Sequence, residues 1–471
     1  MTAVLFRCDA TASGGLGHFV RCLALAEEVT SRGRSAIISG DVEAPLAQDM
    51  LRGKGIPIVP AADTSTALLE VAGEVEAEVV HVDRYLGFAD LWDSVGQAGP
   101  LISTATDAEF GRRRADVIVD GAPRALHEFD RFYAGADVCL GPMHLPLRRG
   151  LTRAVPEGTR DELRILVLMG GTDSAGLGPV IARAVRDTPG VSEVGLVGSE
   201  DVRGVTHVAR STDLTRLVGG WDLVVTAAGT TVWELAALGV PMAIVGVAEN
   251  QRDHYETLTE ERAAIGLGFV RDAESISTAN LSSVTSDGDA RRRMAVRARE
   301  FVDGRGASRI VDTWDAVADD RRATSLMLRR AEQRDAGRLF AWRNESDTRR
   351  WSRNGTPVRW ADHVRWLRDS AERADRRLHV AVLHRPVGTV RFDAVSSDTW
   401  EVSVTVAPEA RGRGLGGALM DEALPSIARE GARTILAEVR SDNAASRNLF
   451  LRAGFRLEQQ RDQWQMWMLS F

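Results

Sequence analysis

The sequence predicts an α/β protein in which two tandem open parallel sheets precede a smaller α+β domain. Three observations lead to this prediction. The chain has 471 residues, its first 320 or so residues alternate short β-branched runs with helical patterns, and seven of its 11 Trp lie after residue 325. The length corresponds to roughly three ordinary domains. Alternating strands and helices are typical of a parallel sheet covered by helices.

The first lobe is predicted over residues 1–150. Its strands are the short apolar runs at 3–6, 35–38, 57–59, 78–82, 100–103 and 117–119. Helical patterns lie between them, for example at 19–31 and 89–97. A stretch rich in Pro, Gly and Arg follows at 145–160 and is predicted to be a linker.

The pattern restarts in a second lobe, predicted over 151–320. Strands are expected at 163–169, 223–226 and 242–245, and helices at 231–238, 252–265, 290–302 and 306–318. Two open sheets in tandem create a cleft at the carboxyl ends of their strands, where such folds bind ligands. A charged boundary at 319–322 then leads into a third domain over 325–471, with strands expected at 326–329, 378–383, 387–393 and 399–406.

Composition excludes several classes of protein. The net charge of −7 argues against a general nucleic-acid binder, although the part after residue 325 carries 25 Arg against 19 acidic residues. The longest apolar run, 235–248, is too short to span a membrane. Cys8, Cys22 and Cys139 form no paired framework, so we expect a cytoplasmic protein without a metal site.

The first chemical cluster follows the first predicted strand. Arg7-Cys8-Asp9 precedes the glycine-rich turn Gly14-Gly15-Leu16-Gly17-His18, and Arg21 lies one helical turn further on. Glycines permit close backbone approach, and a helix start favours anions. A histidine at this place can exchange a proton near neutral pH. A tight turn with a structural histidine is equally compatible with the spacing.

The second cluster follows a strand of the second lobe. Gly229, Thr230 and Thr231 form a glycine turn at a helix start, Glu234 lies one turn later, and Asn250-Gln251 follow the next strand. Phosphate oxygens can accept from the N–H and O–H groups at such a helix start, and Glu234 could accept from ribose hydroxyls. The alternative is an ordinary capped helix with Glu234 on its solvated face.

Together these segments resemble the UDP-2,4-diacetamido-2,4,6-trideoxy-β-L-altropyranose hydrolases of pseudaminic-acid biosynthesis. That family has two Rossmann-like lobes in a GT-B-like fold, and the resemblance spans residues 4–251. It implies that His18 activates water at the anomeric carbon. It also implies a substrate site made by Gly17, Arg21, Asp83, Tyr85, Gly171, Gly229, Thr230, Thr231, Glu234, Asn250 and Gln251.

Two departures from this family fall near the expected cleft. Thr106-Asp107 stands where the family usually has paired aspartates, and His144 stands where a tyrosine is usual. Both departures leave open which sugar the protein binds and whether the reaction is a hydrolysis.

The third domain carries a second phosphate-binding pattern. A strand, the turn Arg411-Gly412-Arg413-Gly414-Leu415-Gly416 and a helix make a pyrophosphate cradle, because backbone N–H groups and the helix dipole face the anion. With Asn443, Ser446 and Gly454-Phe455, the region 326–470 resembles the GNAT acyltransferases. The resemblance implies that acetyl-CoA is held by Arg411, Gly412, Arg413, Gly414, Gly416, Asn443 and Ser446 and acetylates an amine directly.

Two carboxylates are candidates for the base of this transfer. They are Glu401 on the strand before the glycine turn and Glu438 on the next long strand, and either could instead form a strand-end salt bridge. Phe450 replaces a tyrosine that protonates the thiolate in many GNAT members, so Ser446 or solvent would take that role. The tryptophan-rich start of the domain resembles the branch that acetylates amino sugars.

The first functional hypothesis is therefore a bifunctional enzyme. Its GNAT domain would acetylate a UDP-linked amino-deoxy sugar, and its two-lobed part would hydrolyse the product. The second hypothesis is a GT-B-like glycosyltransferase, or a hydrolase of another UDP-sugar in antibiotic or glycan biosynthesis, fused to an amino-sugar acetyltransferase. The third is a non-catalytic nucleotide-sugar-binding module that regulates the acetyltransferase. Nucleic acids and membranes are not expected as partners.

Overall fold

The structure is a computed structural model that describes residues 3–11, 16–96, 99–106, 110–151, 163–170, 173, 176–198, 201–269, 277–285 and 287–471. The chain divides into two compact units. The first unit contains Met1–Ala125 and Cys139–Asp312, and the second contains Leu126–Val138 and Thr313–Phe471.

The first sheet has the strand order β3-β2-β1-β4-β5-β6-β7. Its strands are β1 (Ala3–Arg7), β2 (Ser35–Ser39), β3 (Ile58–Val59), β4 (Ala77–Val82), β5 (Leu101–Ala105), β6 (Val117–Asp120) and β7 (Asp137–Leu140). The helices are α1 (Gly17–Ser31), α2 (Pro45–Leu51), α3 (Ser65–Glu74) and α4 (Leu91–Ser94). The pairs from β3 to β6 are parallel. Loops at the carboxyl ends of β1 and β4 therefore lie side by side, where the strand order reverses.

The second sheet, also in the first unit, repeats this arrangement with the order β10-β9-β8-β11-β12-β13, all parallel. Its strands are β8 (Leu163–Leu168), β9 (Val191–Val197), β10 (Thr206–Val208), β11 (Leu223–Ala227), β12 (Met242–Gly246) and β13 (Ile265–Phe269). Its helices are α5 (Gly178–Arg186), α6 (Leu214–Val218), α7 (Thr231–Leu238), α8 (Arg252–Glu260), α9 (Ser282–Thr285), α10 (Gly288–Glu300) and α11 (Gly306–Arg322). The order reverses between β8 and β11, so the turns after these two strands are neighbours.

Three predictions about the second lobe need correction. The strands β9, β10 and β13 were not predicted, because β9 and β13 contain glycines and β10 is exposed at the sheet edge. The helix predicted to reach residue 265 ends at Glu260, and Arg262 has a positive φ of 54°. The boundary predicted at 319–322 lies inside α11, where Asp320 is buried.

The predicted linker at 145–160 is packed where the structure describes it. Leu145 and Leu147 are buried in the hydrophobic core of the second sheet. Gly306 at the start of α11 lies so close to Leu145 that a Cβ there would come within 2.0 Å of the Leu145 carbonyl oxygen. Residues 152–162 lie outside the described part of the chain.

The second unit is built on a third sheet with the order β14-β15-β16-β17-β18-β20-β19. Its strands are β14 (Met327–Arg330), β15 (Arg376–Val382), β16 (Pro386–Ala394), β17 (Thr399–Val406), β18 (Thr434–Arg440), β19 (Arg456–Arg461) and β20 (Trp464–Ser470). Its helices are α12 (Ala336–Asn344), α13 (Ser346–Arg350), α14 (Trp360–Glu372), α15 (Leu415–Arg429) and α16 (Ala444–Arg452). The β17–β18 pair is parallel and its neighbours are antiparallel.

A short segment from earlier in the chain completes the second unit. In Leu126–Val138, the Phe129 ring lies 4.5 Å from Phe340 and 5.2 Å from Trp360, measured between ring centroids. Asp137 is buried and accepts hydrogen bonds from Arg334 at 3.0 Å and from Arg338 at 3.2 Å. Segment 126–138 is therefore part of the hydrophobic and ionic interior that holds α12 and α14.

No helix among the described residues combines the length and the apolar character that crossing a membrane requires.

His363 on α14 predicts that the second unit loses stability in mild acid. Its ring is 3% exposed, lies against Trp360 and Phe340, and donates to the Ala336 carbonyl oxygen at 3.1 Å. Burial lowers the pKa of His363 from 6.5 to about 4. Between these two values the unfolded chain binds a proton that the folded chain excludes, so the free energy of unfolding falls as the pH drops. The loss reaches about 3 kcal/mol near pH 4.

Urea unfolding followed by tryptophan fluorescence measures this effect between pH 7 and 4.5. The variant His363→Gln keeps a donor for Ala336 but does not titrate, so its stability should fall less over this range. The exposed His384 provides a matched control through His384→Gln. An unchanged pH dependence in His363→Gln would show that other groups cause the acid loss.

Candidate functional site

The carboxyl edges of the first two sheets face one cavity of about 270 Å³ within the first unit. The first sheet contributes Gly17, His18 and Tyr85 to its wall, and the second sheet contributes Thr230 and Asn250. A Cβ on Gly17 would lie 3.7 Å from Thr230 Oγ1, so the start of α1 closely approaches the start of α7. Turns that are about 210 residues apart in the sequence thus form one site.

His18 is held by a buried ion pair beneath the cavity. Asp83, which follows β4 and is 1% exposed, lies 2.5 Å from His18 Nδ1 through its Oδ1. Arg21, one turn along α1, donates from Nε and Nη2 to the two carboxylate oxygens of Asp83, each at 2.8 Å. Burial alone raises the pKa of Asp83, but the charges of Arg21 and His18 hold it well below its ordinary value. Asp83 is therefore a carboxylate that orients His18.

This arrangement determines which nitrogen of His18 can act on a ligand. Asp83 Oδ1 lies 2.5 Å from His18 Nδ1, and Arg21 Nη2, which can only donate, lies 3.0 Å from the same nitrogen. An ionised carboxylate only accepts hydrogen bonds, so the shorter contact favours the neutral ring with its proton on Nδ1, and Nε2 then keeps a lone pair. Because His18 lines the cavity, Nε2 is available as a general base there.

Tyr85 links the two walls of the cavity. Its ring meets the edge of the His18 ring at a centroid distance of 4.3 Å, and its hydroxyl accepts from Asn250 Nδ2 at 3.0 Å. Phe110 lies 5.0 Å from Tyr85 on the outer side and is 46% exposed. An aromatic surface therefore borders the candidate base.

The second wall is the N-terminus of α7. Thr230 precedes this helix, and in the described structure its side chain makes no capping hydrogen bond. A Cβ on Gly229 would lie 3.6 Å from Gln251 Nε2, while Gln251 Oε1 accepts from the Val247 amide at 3.1 Å. Helix N–H groups together with the Thr230 hydroxyl suit an anionic ligand.

Glu234 does not lie on a solvated helix face, so that alternative interpretation is wrong. It is 3% exposed and lines the cavity. Arg148 donates to both of its oxygens, from Nε at 2.5 Å and from Nη2 at 2.8 Å. Any ribose hydroxyl that binds Glu234 must therefore share the carboxylate with this guanidinium.

Sequence reasoning missed three basic side chains of the cavity wall, which are Arg148, Arg210 and His254. Arg148 comes from the stretch predicted to be a linker, and His254 on α8 donates to the Ala228 carbonyl oxygen at 3.2 Å. The sequence pattern around His254 predicted a helix there, but it did not indicate that the His254 side chain lies in the cavity wall. Gly171 and Asp107 lie outside the described residues.

His144, the second departure from the hydrolase pattern, makes a local contact. It is half-buried, and its Nδ1 donates to the carbonyl oxygen of Leu140 at 2.8 Å. Burial lowers its pKa below the ordinary histidine value.

Cys22, His81 and Asp83 bring three potential ligand atoms within 4.8 Å of one another. Their environment disfavours a cation, because Arg21 already neutralises Asp83. Burial and the neighbouring Cys8 thiol raise the pKa of Cys22 well above its ordinary value, so its sulfur keeps its proton.

The second unit places its candidate base residues where two parallel strands separate. The β17–β18 ladder contains only the pairs Thr399–Thr434, Trp400–Ile435 and Glu401–Leu436. Glu401 thus lies at the point of separation, and Glu438 lies two residues beyond it on β18. Arg353 donates from Nε to Glu438 Oε2 at 2.6 Å. The salt-bridge alternative for Glu438 is therefore observed, with Arg353 as the partner.

The glycine turn after β17 makes a sharp entry into α15. Gly412 and Gly414 have φ values of 75° and 77°, which side chains rarely adopt, and Gly414 is the N-cap residue. Arg411 donates from Nη2 to Glu345 Oε2 at 3.1 Å and to Thr348 Oγ1 at 2.8 Å, and both Arg411 and Arg413 are exposed. The positive φ values of these two glycines therefore determine the direction in which the backbone N–H groups of the turn point.

The remaining predicted cofactor residues have structural contacts of their own. A Cβ on Gly416 would lie 3.5 Å from Leu449 and Val406. Asn443 caps α16, and its Oδ1 accepts from the Ser446 amide at 3.0 Å. Asn443 Oδ1 is therefore already hydrogen-bonded within the protein. The predicted contact of Asn443 with acetyl-CoA must use other atoms of this residue or share Oδ1.

A family model matches the C-terminal part of the chain, and a relative matches nearly all of it. The family model described as acetyltransferase (GNAT) domain matches residues 325–456. The uncharacterized protein MJ1062 of Methanocaldococcus jannaschii is 18% identical over 480 residues, which cover 95% of each chain.

Two solved structures resemble the C-terminal part. The yncA protein of Salmonella typhimurium, solved with its cofactor acetyl-CoA, is 22% identical over 31% of this chain and 94% of its own, with a TM-score of 0.29. The N-acetyltransferase PseH of Campylobacter jejuni is 16% identical over 31% of this chain and 97% of its own, with a TM-score of 0.25. The family match identifies residues 325–456 as an acetyltransferase (GNAT) domain.

Proposed function

We propose that the chain is a bifunctional enzyme of UDP-linked amino sugars. The GNAT domain acetylates the amine of a UDP-linked amino-deoxy sugar, and the two-sheet part of the first unit, with a GT-B-like fold, hydrolyses the product to UDP and the free sugar. The two steps are consecutive in pseudaminic-acid-type biosynthesis. The motifs of the first unit are similar to those of the hydrolases of that pathway. Fusion of two catalysts is reasonable when one produces the substrate of the other.

The observation that carries the hydrolase proposal is His18, whose Nδ1 is engaged by the buried Asp83 while its ring lines the cavity. A structural histidine needs no buried carboxylate beneath it, because burying an ion pair is costly. For a general base this arrangement has a use, because the carboxylate orients the ring and stabilises the charge that develops on it.

The hydrolytic step follows from this geometry. Nε2 of His18 accepts a proton from water while the water oxygen bonds to the anomeric carbon. The bond from that carbon to the diphosphate oxygen breaks, and its electron pair leaves with UDP. The α7 N-terminus and the Thr230 hydroxyl stabilise the departing diphosphate. Tyr85 and Asn250, which are hydrogen-bonded to each other, would orient the sugar.

The acetyl-transfer step uses the gap between β17 and β18. The amine nitrogen attacks the thioester carbonyl carbon, the carbon–sulfur bond breaks, and the CoA thiolate takes a proton from solvent or Ser446. Glu401 or Glu438 accepts the proton that the ammonium group loses. For Glu438 to act, the incoming amine must share it with Arg353.

Mass spectrometry tests both activities together. A UDP-linked 4-amino-4,6-dideoxy-N-acetyl-β-L-altrosamine is incubated with the protein, with and without acetyl-CoA. We expect UDP and a free diacetamido sugar only when acetyl-CoA is present. Accumulation of an acetylated sugar that still carries UDP would refute hydrolysis of this sugar, and transfer of the sugar to an acceptor other than water would identify a glycosyltransferase.

A further inference from the structure

The turn after β4 is tied to the end of β1 by three charged side chains. Arg7, the last residue of β1, donates from Nη1 to Asp9 Oδ1 at 2.5 Å. On the other side of this carboxylate, Arg84 Nε lies 3.1 Å from Asp9 Oδ2. The backbones also meet, since the Asp83 amide donates to the Arg7 carbonyl oxygen at 3.0 Å. We call Arg7, Asp9 and Arg84 the charged bridge.

The carboxylate of Asp9 is fixed in place before it meets Arg84. In addition to Arg7, the Asp41 amide donates to Asp9 Oδ1, at 3.1 Å. Arg84 has another acceptor in Asp63 Oδ1, at 2.9 Å, but the Asp63 side chain is 69% exposed, so water weakens that pair. Asp9 is therefore the acceptor that orients the Arg84 side chain.

Arg7 is fully buried, so a charge at this position needs a physical reason. Its exposure is 0%, and it also donates to the carbonyl oxygens of Ala62 at 2.7 Å and Ser39 at 3.3 Å. Burying a guanidinium is costly even when it is paired, and the preceding residues of β1 are apolar. A guanidinium offers what an apolar side chain cannot, which is a fixed charge that orients Asp9.

Arg84 lies between the two residues that contact His18. Asp83 precedes it and binds His18 Nδ1, and Tyr85 follows it with its ring centroid 4.3 Å from that of His18. The carbonyl oxygen of Arg84 accepts from Nη2 of the buried Arg113 at 2.6 Å. Both the side chain and the backbone of Arg84 are thus held, so any movement of Arg84 would move both neighbours of the histidine.

The same turn contains backbone strain that these contacts resist. Gly87 and Phe88 have φ values of 86° and 62°. A positive φ is rare for a bulky side chain, and Phe88 is buried at the end of the turn. The guanidinium carbon of Arg84 lies 5.9 Å from the centroid of the Phe88 ring. Strained conformations persist where the surrounding structure enforces them, so the turn is expected to relax when Arg84 is released.

We propose that Asp9 and Arg84 are positioning residues for His18. They hold the turn that carries Asp83 and Tyr85, and these two side chains hold the histidine ring. The inference rests on the proposed function, because it assigns the charged bridge a role in the hydrolytic step. A displacement of about 1 Å at a reacting group can cost about 10²-fold in rate.

Hydrolysis of the acetylated UDP-sugar by the full chain tests this role, with UDP release as the readout. Arg84→Gln and Asp9→Asn each remove one charge of the bridge and keep a polar side chain. Each should lower kcat about 10–100-fold with a smaller change in KM, because a misplaced base weakens the transition state more than binding. The double variant should be about as slow as either single variant, since both changes act through one contact.

Arg164→Gln is the matched control for loss of a paired arginine. Arg164 is 29% exposed, as Arg84 is, binds Glu193 at 2.6 Å and lies at the amino end of β8, opposite the cavity. It should leave kcat unchanged. Urea unfolding gives the folded fraction of every variant, because a merely structural role lowers the rate only in proportion to that fraction. A normal kcat per folded molecule in Arg84→Gln and Asp9→Asn would overturn the proposal.

The charged bridge and the proposed function can fail separately. If the unmodified protein hydrolyses the sugar and Arg84→Gln does so at the same kcat, hydrolysis stands and the positioning role is wrong. If the unmodified protein does not hydrolyse it, the proposed hydrolysis fails. Hydrogen exchange of the amides at residues 84–88 then tests the bridge: faster exchange in Arg84→Gln than in Arg164→Gln supports a held turn, and equal exchange refutes it.

Discussion

Replacing Asp83 with Asn is expected to lower the kcat of UDP-sugar hydrolysis by about 10²–10⁴-fold, the usual contribution of a positioned general base. The amide cannot stabilise a positive charge on His18, and it can present an N–H group to Nδ1, which would move the ring proton to Nε2. The base would then be blocked on the side that faces the cavity. Acetyl transfer should continue at its normal rate, so the acetylated UDP-sugar should accumulate.

The same replacement should destabilise the first unit, because Arg21 would be left as a buried charge without a counter-charge. Breaking a buried pair in this way costs about 3–5 kcal/mol, which urea unfolding can measure. Asp63→Asn is a matched control, since Asp63 is 69% exposed although it also pairs with arginines. A folded Asp83→Asn protein that retained full hydrolysis would exclude His18 as a base oriented by this carboxylate.

Replacing Asp137 with Ala is expected to destabilise the second unit by about 3–5 kcal/mol. Asp137 belongs to this unit although it lies far in the sequence from the unit's larger segment, Thr313–Phe471. Its carboxylate neutralises Arg334, which is also buried and bonds to Asp320 at 3.2 Å. Without Asp137, Arg334 and Arg338 would face each other in a nearly dry interior. Hydrogen exchange of α12 and α14 in the full chain should increase, and acetyl transfer should fall with the folded fraction.

Gly337→Ala tests the same packing by volume instead of charge. A Cβ at Gly337 would come within 2.1 Å of the Tyr133 carbonyl oxygen, so segment 126–138 or α12 must shift. Gly135→Ala adds the same methyl group inside the segment, where nothing lies within 4 Å, and should be tolerated. Asp369→Ala on the exposed side of α14 is the matched control for charge. Normal exchange protection in Asp137→Ala and Gly337→Ala would show that the segment is dispensable.

Much of the fold was predictable, because strands of parallel sheets are continuous apolar runs bounded by turn residues. β1, β8, β11 and β12 all follow this pattern. The α+β GNAT domain was predicted correctly from its glycine turn and its C-terminal motif. In the second sheet, the strands that escaped prediction contain glycines or lie at an exposed edge, where burial does not impose an apolar run. The strands β7, β19 and β20 were not predicted either.

The sequence by itself determined the local parts of this protein: which runs are strands, and where a glycine-rich stretch marks the start of a helix, next to His18, Thr230 or Gly414. These features depend on neighbouring residues, through backbone conformation and hydrophobic period. Only the tertiary structure decided which distant side chains meet. It pairs His18 with Asp83 and Glu234 with Arg148.

The tertiary structure also decided that segment 126–138 belongs to the second unit. With 27% charged residues, the chain offers many possible partners for every Asp, Glu and Arg. Sequence spacing cannot choose among them, because the choice depends on which strand ends the topology brings together and on how deeply each charge is buried.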